Sequence, residues 1–225
     1  MPDTALVVMA RYPQVGTTKT RLARTIGHEE AVRLYQAFLI DLAYKFAGQG
    51  VDLHWAYTPT DVDYLSYMAS LARSLIEYMH AFPQQGIDLG ARLHHVFRWT
   101  HDQGYRSTIV ISSDTPQISL KIVTQAQKAL ATADVVLGPA DDGGYYLIAM
   151  RRPYDVFRDI PMSTSVVAQM TIELAQSQGL KVHTLENLFD IDELPDLLRL
   201  AQLLEADCSR APETATYLET IKEFV

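Results

Sequence analysis

The chain has 225 residues, of which 48% are hydrophobic and 20% charged, and 19 Lys plus Arg against 27 Asp plus Glu give a net charge of −8. This acidic balance argues against a broad nucleic-acid surface, and a single cysteine, Cys208, excludes an internal disulfide framework and a cysteine-based zinc site. No apolar run approaches the ~18–20 residues of a membrane span, and the N-terminal Met-Pro-Asp-Thr lacks the basic region of a signal peptide, so we expect a cytoplasmic protein.

Short apolar runs alternate along the chain with stretches in which apolar residues recur every three or four positions. The first pattern predicts buried strands and the second predicts helices. In chain order, the predicted strands span 5–10, 51–57, 108–112, 134–137, 145–150 and 181–185. The predicted helices span 29–46, 64–79, a stretch through Arg92 and Phe97, 119–132, 165–178, 194–206 and about 212–224.

This alternation predicts an α/β fold in which a mostly parallel sheet is covered by helices on both faces, because parallel neighbours need a crossover connection. We expect a single domain over residues 1–225. Its last helix, about 212–224, either packs on the domain or serves association into a homo-oligomer. Ligands of open parallel sheets bind beyond the carboxyl ends of the strands, so the loops that follow the strands are where function is expected.

The loop after the first strand carries three cations, Arg11, Lys19 and Arg21, with threonines between them. Pro13 and Gly16 shape this loop, and a glycine lets the backbone approach a ligand closely. Cations and exposed amides before a helix suit a di- or triphosphate. Neither a Walker pattern nor a GxGxxG fingerprint is present, and the alternative is a solvated basic loop.

Aspartates follow two further strands. Asp114 comes after strand 108–112 and precedes Pro116, where it can hold a divalent cation or simply cap a turn. Asp190-Ile-Asp192 follows the last strand. Asp192 is either a second metal ligand opposite Asp114 or the cap of the helix that begins near Leu194.

Two carboxylates and two glycines are adjacent after the fourth strand, at Asp141, Asp142, Gly143 and Gly144. Such a loop usually serves a ligand, a metal or a tight turn, because adjacent carboxylates repel one another. The competing interpretation is a type I′ hairpin turn at Asp142-Gly143.

The order of these segments is more specific than any one of them. The segments are Pro13–Leu22, Gln85–Leu93, Ser113–Pro116, Gly138–Leu147 and Asp190–Asp192. Together they resemble the DUF2064 family of bacterial GT-A-type proteins, which includes glycosyltransferases linked to arsenosugar biosynthesis. The chain is more distantly similar to nucleotidyltransferases of molybdenum-cofactor and 2-phospholactate metabolism. The resemblance covers about residues 4–200 and implies a single-domain nucleotide-diphospho-sugar transferase fold.

The resemblance also implies where the substrates lie. The nucleotide-binding residues are predicted to be Arg11, Pro13, Gly16, Thr18, Lys19, Arg21, Gln85 and Asp88. Asp114 is predicted to bind Mg²⁺ or Mn²⁺, and we interpret Asp192 as a second ligand. The second substrate is predicted to face Asp142, Gly143, Gly144 and Tyr145.

The predicted chemistry is metal-assisted transfer from a nucleotide-sugar donor to a small-molecule acceptor. Lys19 and Arg21 would neutralise the donor phosphates. Asp142 would act as a general base or as a further metal contact. One alternative is a nucleotidyltransferase, which takes an NTP and a phosphorylated acceptor and releases pyrophosphate. A second alternative is a non-catalytic nucleotide-binding domain.

Overall fold

A computed structural model describes residues 3–224. Its strands are β1 (Thr4–Arg11), β2 (Asp52–Thr58), β3 (Met79–Pro83), β4 (Ser107–Ser112), β5 (Val135–Pro139), β6 (Tyr145–Met150) and β7 (Val182–Thr184). Its α-helices are α1 (Thr20–Ile26), α2 (His28–Phe46), α3 (Tyr64–Leu71), α4 (Leu89–Asp102), α5 (Leu120–Ala129), α6 (Val167–Ser177), α7 (Leu194–Ala206) and α8 (Pro212–Thr220).

The described strands form one sheet in the order β3-β2-β1-β4-β6-β5-β7. Every neighbouring pair is parallel except the two that involve β6, which runs antiparallel to both β4 and β5. In the centre of the sheet, Val8 lies opposite Trp55 on one side and Ile111 on the other. The predicted mostly parallel α/β sheet is therefore confirmed.

Both faces of the sheet are buried, which explains why its central strands are continuous apolar runs. Leu6 and Val8 of β1 point into the larger core with Phe38 of α2. Val7, between them, points into the opposite core with Val96 of α4. Within the described residues, no helix is long and apolar enough to cross a membrane.

The prediction of a helix over 64–79 is wrong in its second half. The helix α3 ends at Leu71, a 3₁₀ turn covers Arg73–Tyr78, and Met79 begins the edge strand β3. Pairing with β2 overrides the helical spacing here, and Trp55 Nε1 also donates to the sulfur of Met79 at 3.3 Å. The seven-residue helix α1 was not predicted, because it is too short to show a repeating pattern.

The C-terminal helix α8 is anchored by a buried carboxylate from α2. Both oxygens of Asp41 are used: Glu213 N and Thr214 N donate to them at 2.9 Å, and the Thr214 hydroxyl donates at 2.6 Å. A 3₁₀ turn at Lys222–Phe224 follows α8. The last part of the predicted helix, 212–224, is therefore this turn rather than α-helix.

We predict that Asp41→Ala lowers the free energy of unfolding by about 2–4 kcal/mol, since it leaves the first amides of α8 without an acceptor. Urea unfolding measures the loss, and hydrogen exchange in α8 should accelerate. Thr216→Ala, on the exposed side of the same helix, is the control and should change stability by less than about 1 kcal/mol. Equal losses in the two variants would contradict the anchoring role.

A second prediction concerns His54, which is 3% exposed and shares a 2.9 Å hydrogen bond with the Tyr105 hydroxyl. Burial, with a smaller contribution from His80, lowers the pKa of His54 to about 4. The unfolded chain therefore binds the extra proton first, and stability is lost as the pH falls from about 6.5 towards 4. Between pH 7.5 and 5.0 this loss should be about 2 kcal/mol in urea unfolding. A His54→Phe variant with the same pH dependence as the parent protein would contradict it.

Candidate functional site

A cleft of about 990 Å³ opens at the carboxyl ends of the parallel strands. Arg11 ends β1, Thr58 ends β2, and Asp114 follows β4, and all three line it. The buried Tyr35 hydroxyl accepts from the backbone N–H of Arg11 at 3.0 Å and hydrogen-bonds Ser113 Oγ at 2.8 Å, which ties the ends of β1 and β4 together. The loops after the strands thus converge as the sequence predicts.

The most distinctive feature of the cleft is the ammonium group of Lys19. Its Nζ lies 2.7 Å from Asp114 Oδ1, 3.1 Å from Asp192 Oδ1 and 2.6 Å from the carbonyl oxygen of Ile191. The Lys19 side chain is 5% exposed, whereas those of Asp114 and Asp192 are 36% and 45% exposed. Burial acts to lower the pKa of Lys19, but the two carboxylates outweigh it and raise the pKa above its usual value.

The backbone at Lys19 is left-handed, with φ 46° and ψ 47°. A non-glycine residue in this region costs about 1–2 kcal/mol, and such strain is typical of functional sites. The preceding loop is fixed by Thr18, which is 1% exposed and whose hydroxyl accepts from Gln14 N at 2.8 Å. The loop therefore holds the backbone of Lys19 in one defined position.

The segment Asp190–Asp192 lies against this ion pair. Burial raises the pKa of Asp190 to about 7, a hydrogen bond from Thr115 opposes the shift, and the nearby charge of Asp114 adds to it. The capping alternative for Asp192 is wrong, because Glu193 is the N-cap of α7 and Asp196 accepts from the amides of Asp192 and Glu193. The carboxylate of Asp192 is turned to Lys19 instead.

The Asp-Asp-Gly-Gly segment is both a hairpin loop and part of the cleft. It joins β5 to β6, and Gly143 N donates to Ala140 O at 3.0 Å. Gly143 has φ +86° while Asp142 has no positive φ, so the type I′ turn, the competing interpretation of this segment, is not formed. Asp142 Oδ1 accepts from Gly144 N at 2.8 Å and lines the cleft. Asp141 points away, to Arg199 at 2.6 Å.

Most of the predicted site residues come together. Those that line the cleft are Arg11, Gly16, Thr18, Lys19, Arg21, Asp114, Asp142, Gly144, Tyr145 and Asp192. Pro13, Gln85, Asp88 and Gly143 are outside the lining. Asp88 is the N-cap of α4 and accepts from Ala91 N at 2.8 Å. Gly143 instead packs against the backbone of Ser165.

Sequence reasoning missed several lining residues. Gln84, rather than Gln85, reaches the cleft, where its Nε2 donates to Ala10 O at 3.2 Å and Ala56 O at 2.8 Å. Arg92 of α4 also lines it, and its place in the segment Gln85–Leu93 is the signal that could have identified it. Residues 163–165, which precede α6, line it as well.

The lining of the cleft is chemically mixed. It includes Lys19 and the aspartates, and it also includes the apolar residues Leu93, Val110, Ile148 and Val167. The charged residues suit phosphates and cations, and the apolar residues suit an uncharged part of a ligand.

The cleft offers two carboxylates to a metal ion. Within residues 3–224, no group of three or more His, Cys, Asp or Glu side chains has a spacing that could hold a metal ion. Asp114 and Asp192 nevertheless face one another across a cation, the Lys19 ammonium. Two carboxylates suit Mg²⁺ or Mn²⁺ when phosphates and water provide the remaining oxygen ligands. The pair therefore fits a metal shared with a substrate.

Comparisons with solved structures show that the chain has the nucleotide-diphospho-sugar transferase fold. A protein from Desulfovibrio desulfuricans G20, provisionally described as a nucleotide-diphospho-sugar transferase, superposes with a TM-score of 0.91. It is 32% identical over 100% of this chain and 97% of its own. The family model DUF2064, described as "Uncharacterized protein conserved in bacteria", matches residues 46–164, just over half of the chain. The chain belongs to the DUF2064 family.

More distant structures share the fold alone. A cytidylyltransferase from Leptospira borgpetersenii has a TM-score of 0.56 at 13% identity, covering 99% of this chain and 95% of its own. The 4-diphosphocytidyl-2C-methyl-D-erythritol synthase from Anaerococcus prevotii has a TM-score of 0.57 at 10% identity, covering 90% and 96%. No curated protein matches the sequence significantly.

Proposed function

We propose that the protein is a metal-dependent transferase that uses a nucleotide-activated donor, with a glycosyl group as the group transferred. The observation that carries this proposal is the Lys19–Asp114–Asp192 cluster at the carboxyl ends of β1 and β4, beside the exposed cations Arg11 and Arg21. The provisional description of the 32% identical relative supports the same class of reaction.

The residues that line the cleft then have separate roles. Arg11 and Arg21 bind the donor phosphates as charge-assisted hydrogen-bond donors. Asp114 and Asp192 hold Mg²⁺ or Mn²⁺, which supplies electrostatic stabilisation of the leaving phosphate. Asp142, exposed at the mouth of the cleft, accepts the proton of the acceptor hydroxyl. The apolar lining residues contact the acceptor, a small molecule.

A nucleotidyltransferase is the second candidate, because the cytidylyltransferase from Leptospira borgpetersenii and the 4-diphosphocytidyl-2C-methyl-D-erythritol synthase from Anaerococcus prevotii share this fold. The same cluster would then bind an NTP, and pyrophosphate would leave. A binding domain without turnover is the third candidate. Fold alone does not separate these chemistries.

A screen of donors tests the proposal. Thermal shift is measured with nucleoside triphosphates and with nucleotide sugars, each with and without Mn²⁺. Stabilisation by nucleotide sugars that requires Mn²⁺, with release of a nucleoside mono- or diphosphate when an acceptor is added, supports glycosyl transfer. Release of pyrophosphate from an NTP would instead support nucleotidyl transfer. Binding of neither class would contradict both.

A further inference from the structure

The Lys19 ammonium has three close oxygen partners. It donates to Asp192 Oδ1 at 3.1 Å and to Ile191 O at 2.6 Å, and it forms an ion pair with Asp114 Oδ1 at 2.7 Å. The Lys19 side chain is 5% exposed. A group in this position cannot contact a phosphate in the cleft without breaking at least one of these bonds. Its contact with phosphate therefore requires a rearrangement.

The same ammonium occupies the position that a metal would need. It lies between the two carboxylates, within hydrogen-bond distance of both. A divalent ion placed there would be repelled by the positive charge of Lys19 as long as the ammonium stays. By contrast, Asp114 and Asp192 are both more than a third exposed, so an ion can reach them from the cleft.

We propose that Lys19 and a divalent cation alternate at the position between Asp114 and Asp192, and that donor phosphates draw the ammonium away so that the metal can enter. This inference rests on the proposed function for the identity of the phosphate ligand. The released ammonium would pair with the donor phosphates, which Arg11 and Arg21 bind in the same cleft.

The exchange makes metal and phosphate binding cooperative. Metal alone must displace a well-bonded ammonium, and phosphate alone must leave the two carboxylates without a counter-ion. When both bind, each removes the penalty that the other meets, which is a coupling between two sites. The cleft thus discriminates a metal–nucleotide complex from either component.

The test uses Mn²⁺ alone, titrated at pH 7.5 and followed by the electron paramagnetic resonance signal of free Mn²⁺. Lys19→Met should bind Mn²⁺ at least tenfold more tightly than the wild-type protein, because the carboxylates lose their internal cation. The double variant Lys19→Met/Asp114→Asn should lose that gain. Affinity in Lys19→Met equal to or weaker than in the wild type would overturn the proposal.

Lys45→Met is the matched control. Lys45 is also a largely buried lysine, but its ammonium donates to the carbonyl oxygens of Pro116 and Arg210, both at 2.6 Å, and not to carboxylates. Its replacement should leave Mn²⁺ affinity unchanged, and an equal gain there would count against the proposal.

Further controls distinguish this result from misfolding and from a failure of the proposed function. Circular dichroism verifies the fold, and Lys19→Gln, which is neutral but retains a hydrogen-bond donor, should show the same direction of change as Lys19→Met. No nucleotide is present, so loss of the Mn²⁺ effect overturns the exchange and leaves the donor screen unaffected. A negative donor screen with a retained Mn²⁺ gain overturns the proposed function instead.

Discussion

Asp114→Asn is expected to weaken Mn²⁺-dependent nucleotide binding by about 100-fold or more. The change removes the charge of a carboxylate that pairs with the Lys19 ammonium, and an amide is a poor substitute as a ligand for a hard cation. The fold should persist, because the Asp114 side chain is 36% exposed and the backbone carbonyl of residue 114 still accepts from Ile191 N at 3.0 Å. Isothermal titration calorimetry with the donor found in the screen, in the presence of Mn²⁺, measures the loss.

Asp63→Asn is the control for this variant, since Asp63 caps α3 and asparagine caps helices equally well. It makes the same chemical change outside the cleft and should leave binding unaltered. Unchanged affinity in Asp114→Asn, with the unfolding transition intact, would remove Asp114 from the site. Loss of affinity in both variants would show that the effect does not arise in the cleft.

The sequence predicts the central strands well because each is buried on both faces and therefore apolar without interruption, as in β1 and β4. It fails at β3, an edge strand that contains the exposed His80 and follows a helical pattern without a break. The position of β6 between β4 and β5 is also not predicted. Which strands become neighbours depends on packing between distant segments, and no local pattern records that.

Within the site, the sequence predicts the positions of Lys19, Asp114 and Asp192, because loops after parallel strands meet at one edge. It does not predict that they pair with one another. The sequence predicts instead that Lys19 binds phosphates and that the two aspartates bind a metal. Residue type cannot separate a ligand from a cap either, as Asp88 shows, since both roles use the same carboxylate oxygens. Which role a carboxylate takes depends on contacts between residues far apart in the chain, such as Lys19 and Ile191, which are about 170 positions apart.

Gly143→Ala is expected to lower the free energy of unfolding by about 2–5 kcal/mol. Gly143 has φ +86°, where alanine is strained by about 1–2 kcal/mol, and a Cβ there would lie 2.0 Å from the carbonyl oxygen of Ser165. The overlap involves backbone, so the hairpin or residues 163–165 must shift, at a further cost of about 1–3 kcal/mol. Such a shift would also break the bond from Ala168 N to Gly143 O, now 3.0 Å long. Urea unfolding measures the total.

Gly104→Ala separates strain from overlap. Gly104 has φ +94°, but a Cβ added there meets nothing within 4 Å, so this variant should lose only about 1–2 kcal/mol. The difference between the two variants reports the contact between the hairpin and Ser165 alone. Because Asp142 and Gly144 flank Gly143 and line the cleft, a shifted hairpin in Gly143→Ala should also weaken acceptor binding, whereas Gly104→Ala should not. Equal stability losses in both variants would mean that the hairpin moves freely and does not fix Asp142 in place.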